Sequence, residues 1–286
     1  MSASAAAPGH LYVVATPIGN LGDLAPRAQA VLAGVDRICA EDTRTSGVLL
    51  AHFGIHRPLT ALHEHNEDRI AAELVQALRD GQSLALVSDA GTPLISDPGF
   101  ALVRAARAAG LPVIAVPGPC AAVAALSISG IATDSFVFAG FLPPKNAARR
   151  ARLQELAAET RTLIFYESSH RIAESVADIA AAFGTRRLCL ARELTKLYEE
   201  SITASAAEVS VWLAQDANHS RGEFVLVLEG AVAIAQSDDA EAEHVLRVLL
   251  TELPASQAVK LAAGLTGRRK NELYALATKI GAGKEA

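Results

Sequence analysis

The sequence predicts an α/β protein with two α/β domains and a small C-terminal helical domain. Short runs rich in Val, Ile and Leu alternate with helical patterns over residues 10–230, an alternation typical of strand–helix–strand units. Beyond residue 240 only helical spacing remains. Hydrophobic residues make up 51% of the chain and aromatic residues only 5%. The hydrophobic residues are therefore mainly Ala, Leu and Val, and this composition suits α/β layers better than a β-sandwich.

The first domain is predicted to span residues 10–125, after a disordered leader at residues 1–9. Its strands are expected at Leu11–Ala15, Arg37–Ala40, Leu84–Val87 and Val113–Val116. Its helices are expected at Pro26–Gly34, Glu67–Asp80 and Phe100–Ala109, with two more starting near Thr43 and Ala121. Because strands and helices alternate, the strands are expected to be parallel, with helices covering the sheet.

The second α/β domain is predicted to span residues 126–230. Its strands are expected at Phe136–Ala139, Thr162–Tyr166, Leu188–Ala191, Ser201–Ala204 and Glu223–Leu228. Its helices are expected at Ala147–Glu159 and Ile172–Phe183. Residues 231–240 are interpreted as a linker, and residues 241–286 as a helical domain. Pro254 and residues 264–267 interrupt the helical pattern there.

Composition narrows the class of protein. The net charge of −5 argues against a wholly basic nucleic-acid-binding protein, although it allows local basic patches. Three dispersed cysteines form no C-x-x-C pair, so neither a disulfide framework nor a thiolate zinc site is expected, which suits a reducing cytoplasm. No run approaches the roughly 18 apolar residues of a membrane span. His63 and His65 have no obvious third ligand, so no metal is expected.

Two strand-end turns are the strongest candidates for a ligand site. Ser88–Gly99 holds two glycines, two prolines and two aspartates, and such a turn exposes backbone amides rigidly. Pro117–Cys120 follows the next predicted strand. Ligands of parallel sheets bind outside the carboxyl ends of the strands. Asp97 is expected to cap the following helix, whereas Asp89 has no such role; an ordinary strand-to-helix loop is the alternative interpretation.

Charged residues follow other predicted strands. Glu41 and Asp42 precede Arg44, and Asp42 is equally suited to cap the next helix. A cation in a first helical turn opposes the helix dipole, so Arg44 is a candidate for holding a phosphate or carboxylate. Glu167 and His170 are candidates for proton transfer or orientation, or else surface residues.

The loop 16–23 matches neither G-x-G-x-x-G nor the Walker pattern, so the sequence does not support NAD or a nucleoside triphosphate as a ligand of this loop.

Clusters of cations without interspersed acidic residues indicate a polyanion, although most charge runs are solvated faces. Two such clusters occur: one after Pro144 (Lys145, Arg149, Arg150 and Arg152) and one at the start of the last predicted helix (Arg268, Arg269 and Lys270). Arg192 and Lys196, on either side of Glu193 at the end of a strand, are two further cations that would extend this surface.

Taken in order, these motifs resemble the tetrapyrrole methylase superfamily, and within it the small-subunit ribosomal RNA methyltransferases of type I. The resemblance covers nearly everything from Leu11 to Ile280. It rests on the segments 16–23, 41–44, 88–99, 117–119, 141–143, 165–168, 170–172, 192–196 and 221–224. Ser169 stands where the family usually has proline, and the basic run after Pro144 is thinner than in many members.

The resemblance implies an enzyme that uses S-adenosylmethionine to methylate the ribose 2′-hydroxyl of a cytidine, expected to be cytidine 1402, in 16S ribosomal RNA. It also implies a cofactor cleft between the two α/β domains, a homodimer, and either free RNA or the assembled 30S particle as partner. By position, it implies cofactor contacts from Pro17, Gly19, Ser88, Asp89, Ala90, Gly91, Thr92, Leu94, Ile95, Cys120, Ala121 and Tyr166.

A ribose hydroxyl is a poor nucleophile at neutral pH, so a group that accepts or orients its proton is expected. The predicted catalytic candidates are Glu193, Asp42 and Glu167. The predicted RNA contacts are Arg44, Lys145, Arg149, Arg192, Lys196, Arg268, Arg269 and Lys270. Two alternatives stay open: methylation of a tetrapyrrole or a protein side chain by the same fold, and a non-catalytic RNA-binding assembly factor.

Overall fold

The computed structural model of the chain describes residues 6–232 and 238–282. The chain divides into two compact units, residues 1–230 and 231–286. The first unit contains two five-stranded sheets, as the α/β prediction requires. Of the helices in the described ranges, none is long and apolar enough to span a bilayer.

The first sheet is entirely parallel. Its strands are β1 (Leu11–Val14), β2 (Arg37–Ala40), β3 (Leu59–Ala61), β4 (Leu84–Val87) and β5 (Val113–Val116). Their spatial order is β3-β2-β4-β1-β5. Every residue of the central strand β4 is buried, as expected for a parallel strand covered on both faces.

The helices of this part are α1 (Pro26–Gly34), α2 (Thr43–His52), α3 (Glu67–Arg79), α4 (Phe100–Ala108) and α5 (Ala121–Ile128). Side chains alternate between the two faces of a strand. Ala85 and Val87 therefore pack with α1 on one face, while Leu84 and Leu86 pack with α3 and α4 on the other. This two-sided burial fixes the register and brings the loops after the strands to one edge of the sheet.

The second sheet is mixed. Its strands are β6 (Phe136–Phe141), β7 (Thr162–Ser168), β8 (Arg187–Arg192), β9 (Glu200–Ser205) and β10 (Glu223–Leu228). They lie in the order β6-β7-β10-β8-β9, and only the β6–β7 pair is parallel. One face is covered by α6 (Asn146–Glu155), α7 (Ile172–Phe183) and α8 (Ala206–Gln215).

The other face of the second sheet packs against α5, the helix that follows β5. Ala122, Ala125 and Leu126 of α5 share a buried cluster with Ile164 of β7 and Val225 of β10. The small side chains of α5 allow the helix to lie close to the sheet. Through this helix the carboxyl edge of the first sheet is held beside the ends of β7 and β10.

The second unit is a three-helix cluster made of α9 (Asp238–Leu249), α10 (Ala255–Thr266) and α11 (Lys270–Ala282). Its core comprises Ala242, Leu246, Val259, Ala262, Leu273 and Ala277. Gly267, in the left-handed region with φ 71°, ends α10, and its N–H donates to the Ala263 carbonyl at 3.1 Å. A left-handed glycine is a common way to stop a helix before a tight turn.

The predicted strands and helices are confirmed in order, and their ends differ from the predictions by a few residues at most. The prediction missed β3 and α8. The leader is not disordered in its described part, because the Ala7 N–H donates to the Tyr12 hydroxyl at 2.8 Å and the Gly9 N–H donates to the Gly81 carbonyl at 3.2 Å. Residues 1–5 and 233–237 lie outside the described residues, and residues 238–240 of the expected linker belong to α9.

Candidate active site

A cavity of about 470 Å³ lies where the carboxyl ends of the first sheet meet the second sheet. The loops after β1, β2, β4 and β5 form one wall, and β6, β7, β10 and the loop after β8 form the other. The lining residues are Ile18, Glu41, Asp89–Thr92, Ile95–Asp97, Ala121, Phe141, Tyr166–Ser169, Leu194 and Gly222–Val225. The cavity is therefore at the edge of the sheet where parallel α/β folds bind ligands.

Backbone contacts tie the three loops of the first sheet together. Thr16 and Gly91 exchange two backbone hydrogen bonds of 2.9 and 3.1 Å, which join the loops after β1 and β4. The Thr92 hydroxyl donates to the Pro119 carbonyl at 2.9 Å and adds the loop after β5. Gly91 has φ 82°, and a Cβ there would lie 3.2 Å from Ile18 Cγ2. The backbone conformation therefore favours glycine at this position, and a Cβ there would also be in tight contact with Ile18.

Tyr166 of β7 connects the second sheet to this frame. Its hydroxyl accepts a hydrogen bond of 3.2 Å from the N–H of Ala122, in the first turn of α5. Burial is the main reason why the pKa of Tyr166 lies well above its usual range, so the phenol stays neutral. Its ring packs edge-on against Phe138 and Phe141, with centroids 4.9 and 5.7 Å away. The three rings form an aromatic patch on this wall, beside the lining residues Glu167 and Glu223.

The opposite wall is acidic. Burial raises the pKa of Glu41, and the negative charges of Asp97 and Asp89 raise it further. Burial likewise raises the pKa of Asp97, against the hydrogen bond that it receives from Ser88. These three carboxylates take part in none of the salt bridges found in the described chain. This wall therefore carries three carboxylates, and the charge of one of them, Asp89, interacts with the exposed Arg44.

Two expectations for the loop after β4 are wrong. Asp97 does not cap α4; the N-cap is Gly99, whose N–H donates instead to Glu67 Oε2 at 2.7 Å. Asp97 lines the cavity. Leu94 does not face the cavity, because its side chain packs into the core formed with α3 and α4, whereas Ile95 does line it. The left-handed backbone at Leu94, with φ 73°, turns the side chain inward.

The structure separates the predicted cofactor residues into two groups. Those that line the cavity are Asp89, Ala90, Gly91, Thr92, Ile95, Ala121 and Tyr166. Those that lie outside the lining are Pro17, Gly19, Ser88, Leu94 and Cys120. Ser88 is buried beneath the loop and donates to the Ala90 carbonyl at 3.4 Å. Gly19 allows two loops to pass closely, since a Cβ there would lie within van der Waals overlap of the Lys196 side chain.

Asp42 was predicted either to accept a proton or to cap a helix, and the structure gives it the capping role. Its carboxylate caps α2 by accepting from the Arg44 N–H at 2.8 Å, and it pairs with the Arg44 guanidinium at 2.6 Å. The hydrogen bonds from Arg44 lower the pKa of Asp42 to about 2. A carboxylate with so low a pKa is a weak base.

The carboxylates of the other two predicted proton acceptors, Glu193 and Glu167, are also bound by neighbouring groups of the protein. Glu193 Oε1 accepts from Lys196 Nζ at 2.9 Å and from the Glu223 N–H at 3.0 Å. Partial burial raises the pKa of Glu193, but these hydrogen bonds outweigh it and the net pKa is lowered. Glu167 is buried and holds Arg171 at 2.8 Å and the Ser175 hydroxyl at 2.6 Å. Both carboxylates stabilise their own loops.

Three predicted RNA-binding cations form salt bridges with carboxylates of the protein itself. Arg149 is fully buried, with Nε 2.6 Å from Asp178, so the prediction that it contacts RNA is contradicted. Arg192 is 8% exposed and pairs with Glu200 at 3.0 Å. Lys196 Nζ lies 2.9 Å from carboxylates on both Glu193 and Glu223. Their positive charges are neutralised by these partners.

The remaining predicted cations reach solvent to differing degrees. Arg44 is exposed although it pairs with Asp42. Lys145 precedes α6 and is exposed, as are Arg269 and Lys270 near the start of α11. Arg268 is partly exposed and lies 3.5 Å from Glu272. Within residues 6–232 and 238–282, no three His, Cys, Asp or Glu side chains converge in a way that could hold a metal ion.

Comparison with known proteins places this site in a family. The model for Tetrapyrrole (Corrin/Porphyrin) Methylases matches residues 10–210, which include both sheets' contributions to the cavity up to Leu194. The chain belongs to the tetrapyrrole methylase family. A second model, described as the RsmI C-terminal HTH domain, matches residues 236–281, the range of α9 to α11.

Several tetrapyrrole methylases named ribosomal RNA small subunit methyltransferase I resemble the chain along most of its length. The protein of that name from Xylella fastidiosa (strain Temecula1) is 56% identical, and the match covers 93% of this chain and 98% of the relative. The protein of that name from Pseudomonas aeruginosa is 54% identical, and the match covers 93% of this chain and 95% of the relative. The one from Escherichia coli O157:H7 is 51% identical, and the match covers 93% of each chain.

Solved tetrapyrrole methylases share the fold. The methyltransferase CobJ superposes with a TM-score of 0.58 at 18% identity, covering 78% of this chain and 95% of its own. Cobalt precorrin-4 methyltransferase gives a TM-score of 0.54 at 13% identity, covering 77% of this chain and 95% of its own.

Proposed function

We propose that this chain is an S-adenosylmethionine-dependent methyltransferase that methylates the ribose 2′-hydroxyl of a cytidine in small-subunit ribosomal RNA. The observation that carries the proposal is the cavity at the strand ends, with the carboxylates of Glu41, Asp89 and Asp97. The RNA substrate is supported by relatives that share the chain's full architecture and are named for it. The cytidine and the 2′-oxygen come from the motif resemblance alone.

The cavity suits the proposed cofactor. S-adenosylmethionine carries a sulfonium and an ammonium cation together with a flat adenine. Glu41, Asp89 and Asp97 supply negative charge, and none of the three forms a salt bridge within the described residues. Gly91 and Ala121 leave room for a ligand to approach the backbone. The residues present therefore fit this group, and the loop from Asp89 to Thr92 would hold it.

The bound cofactor supplies an electrophilic methyl group, and its transfer to a hydroxyl releases one proton. The protein has to position the hydroxyl and receive that proton. Among the carboxylates at the cavity, we assign the acceptor role to Glu41, because burial and the neighbouring Asp97 and Asp89 raise its pKa. The proton passes from the hydroxyl oxygen to the Glu41 carboxylate and then to solvent.

The proposal includes the partners that the sequence suggests. Either free ribosomal RNA or the 30S particle is the substrate, and the exposed Arg44, Lys145, Arg269 and Lys270 are cations available for its phosphates. We also propose a homodimer and a cytoplasmic location. Equilibrium sedimentation of the full chain tests the first, and fractionation of expressing cells tests the second.

The deciding experiment is mass-spectrometric mapping of 16S ribosomal RNA. Purified 30S particles that lack ribose methylation are incubated with the full chain, with and without S-adenosylmethionine, beside free RNA. We expect one added ribose methyl group on a cytidine, only with cofactor. A methylated base, or methyl transfer to a tetrapyrrole and not to RNA, would contradict the proposal. RNA binding without cofactor affinity would favour the assembly-factor alternative.

Replacing Gly91 with Ala should weaken cofactor binding about ten-fold by calorimetry. The left-handed backbone at φ 82° costs a residue with a Cβ about 1–2 kcal/mol, and the loop can relieve this strain only by moving away from Thr16. Gly110→Ala is the matched control, because Gly110 has φ 72° but no atom within 4 Å and precedes β5, at the opposite edge of the sheet. It should lose similar stability and keep its cofactor affinity; equal losses of affinity would count against the site.

A further inference from the structure

The loop between β8 and β9, residues 193–199, exposes two large apolar side chains. Leu197 is 87% exposed and Tyr198 is 68% exposed. Single exposed apolar residues are ordinary on protein surfaces. Two adjacent ones at the tip of a tight loop in a chain with only 5% aromatic residues require an explanation that the fold does not provide.

Hydrogen bonds hold this loop in one conformation, although the side chains at its tip are largely exposed. The Thr195 N–H donates to Glu199 Oε2 at 2.6 Å, and the Lys196 N–H donates to the Glu193 carbonyl at 3.0 Å. Glu193 and Thr195 both adopt left-handed backbone angles, with φ 50° and 67°. Strained non-glycine residues persist only where the surroundings hold them, and they cluster at functional sites.

The loop borders the cavity. Leu194, at its base, lines the cavity beside Gly222 and Glu223. The Lys196 ammonium ties the loop to Glu223 at 2.9 Å. Phe141, which is 51% exposed, lines the same cavity from the end of β6. Phe141 therefore lines the cavity itself, and the loop that carries Tyr198 begins beside a residue that lines it, Leu194.

We propose that Leu197 and Tyr198 form a stacking surface for an unpaired nucleotide next to the target nucleotide of the RNA. This inference rests on the proposed function. A cavity of about 470 Å³ is far too small for a base-paired helix, so the target nucleotide has to leave its stack to be modified. The neighbouring base then loses its stacking partner, and the Tyr198 ring replaces it. Because the loop is already ordered, little entropy is lost when RNA binds.

The test compares Tyr198→Ala and Tyr198→Phe with Phe136→Ala. Phe136 is a matched control, since it is an exposed aromatic residue at the other end of β6 from Phe141. Binding of a single-stranded ribo-oligonucleotide is measured by fluorescence anisotropy, and KM and kcat are measured with 30S particles. Tyr198→Ala should raise Kd and KM roughly ten-fold with little change in kcat. Tyr198→Phe and Phe136→Ala should stay close to the unmodified protein, and all variants should bind S-adenosylmethionine normally.

The outcomes separate this inference from the proposed function. If the unmodified protein transfers no methyl group to RNA, the proposed function fails, while oligonucleotide binding still tests the stacking surface. Unchanged RNA binding and KM in Tyr198→Ala would overturn the inference alone. So would an equal loss in Tyr198→Phe, because the hydroxyl and not the ring would then matter. A change of sedimentation mass in Tyr198→Ala would assign the surface to a second copy of the chain instead.

Discussion

Replacing Glu41 with Gln is expected to slow methyl transfer to 30S particles about 100-fold or more, the usual contribution of a proton-accepting group. The amide keeps the size of the side chain but cannot take the proton of the ribose hydroxyl. Asp89 and Asp97 remain to offset the charge of the cofactor, so calorimetry should show S-adenosylmethionine affinity within a few-fold of the unmodified protein. Glu193→Gln serves as the control, because its carboxylate is bound by Lys196 and the Glu223 N–H.

The pH dependence of kcat/KM tests the role of Glu41 as proton acceptor in a second way. Burial, Asp97 and Asp89 raise the pKa of Glu41 in that order of importance, so the acid limb of kcat/KM should lie above the ordinary pKa of a glutamate. Activity falls as the pH decreases through this pKa, because a protonated carboxyl cannot accept a proton. Asp97→Asn should move the limb to lower pH, and by more than Asp89→Asn does. A full rate for Glu41→Gln, or a limb that neither variant moves, would exclude Glu41 as the acceptor.

Removal of the Asp178 side chain should destabilise the second sheet's half of the first unit by about 3–5 kcal/mol, as for other broken buried ion pairs. Asp178 is 4% exposed and binds Arg149 Nε at 2.6 Å and Arg150 Nε at 2.7 Å. Without it, the guanidinium of the fully buried Arg149 keeps the Pro144 carbonyl at 3.4 Å and one carboxylate, that of Glu174, which is itself largely exposed. Most of the cost comes from leaving the positive charge of Arg149 buried with one largely exposed carboxylate in place of two.

Urea unfolding followed by circular dichroism measures this effect in Asp178→Ala. The control Arg152→Ala removes a solvent-exposed ion pair of 2.9 Å with Glu155 and should change the free energy of unfolding very little. The double variant Arg149→Met, Asp178→Leu should recover much of the stability, because apolar residues of similar volume replace both charges. A loss of less than about 1 kcal/mol in Asp178→Ala would show that water reaches the Arg149 guanidinium.

The fold could be predicted because local patterns decide it. The apolar runs of β4 and β10 and the helical spacing of α3 and α7 are properties of short segments. Their order also predicted a parallel first sheet. The strand β3, with three half-buried residues, has too weak a pattern to predict. Helix α8 was missed although Ser205 and Glu208 form a capping box, which is a recognisable sequence signal.

The candidate site could be predicted at the level of loops but not of side chains. A position after a strand brings Glu41 and Asp89 to the cavity, and that much follows from topology. The burial of Arg149 depends on Asp178 and Glu174, which lie in another helix, so the basic run after Pro144 could not reveal it. Likewise, Glu67 binds the Gly99 N–H from a distant helix and leaves Asp97 for the cavity. The roles of Arg149 and Asp97 therefore depend on residues that are distant in the sequence and adjacent only in the folded protein.

The joined loops around Gly91 bear on how such a protein can change during evolution. The bonds between Thr16 and Gly91 use backbone atoms only, and backbone groups are the same whichever side chains the neighbouring positions carry. Mutations can therefore replace the residues that face the ligand while the architecture that carries them persists. Such a framework can diversify toward unrelated acceptors, which accords with a fold still recognisable in enzymes only 13–18% identical to this chain.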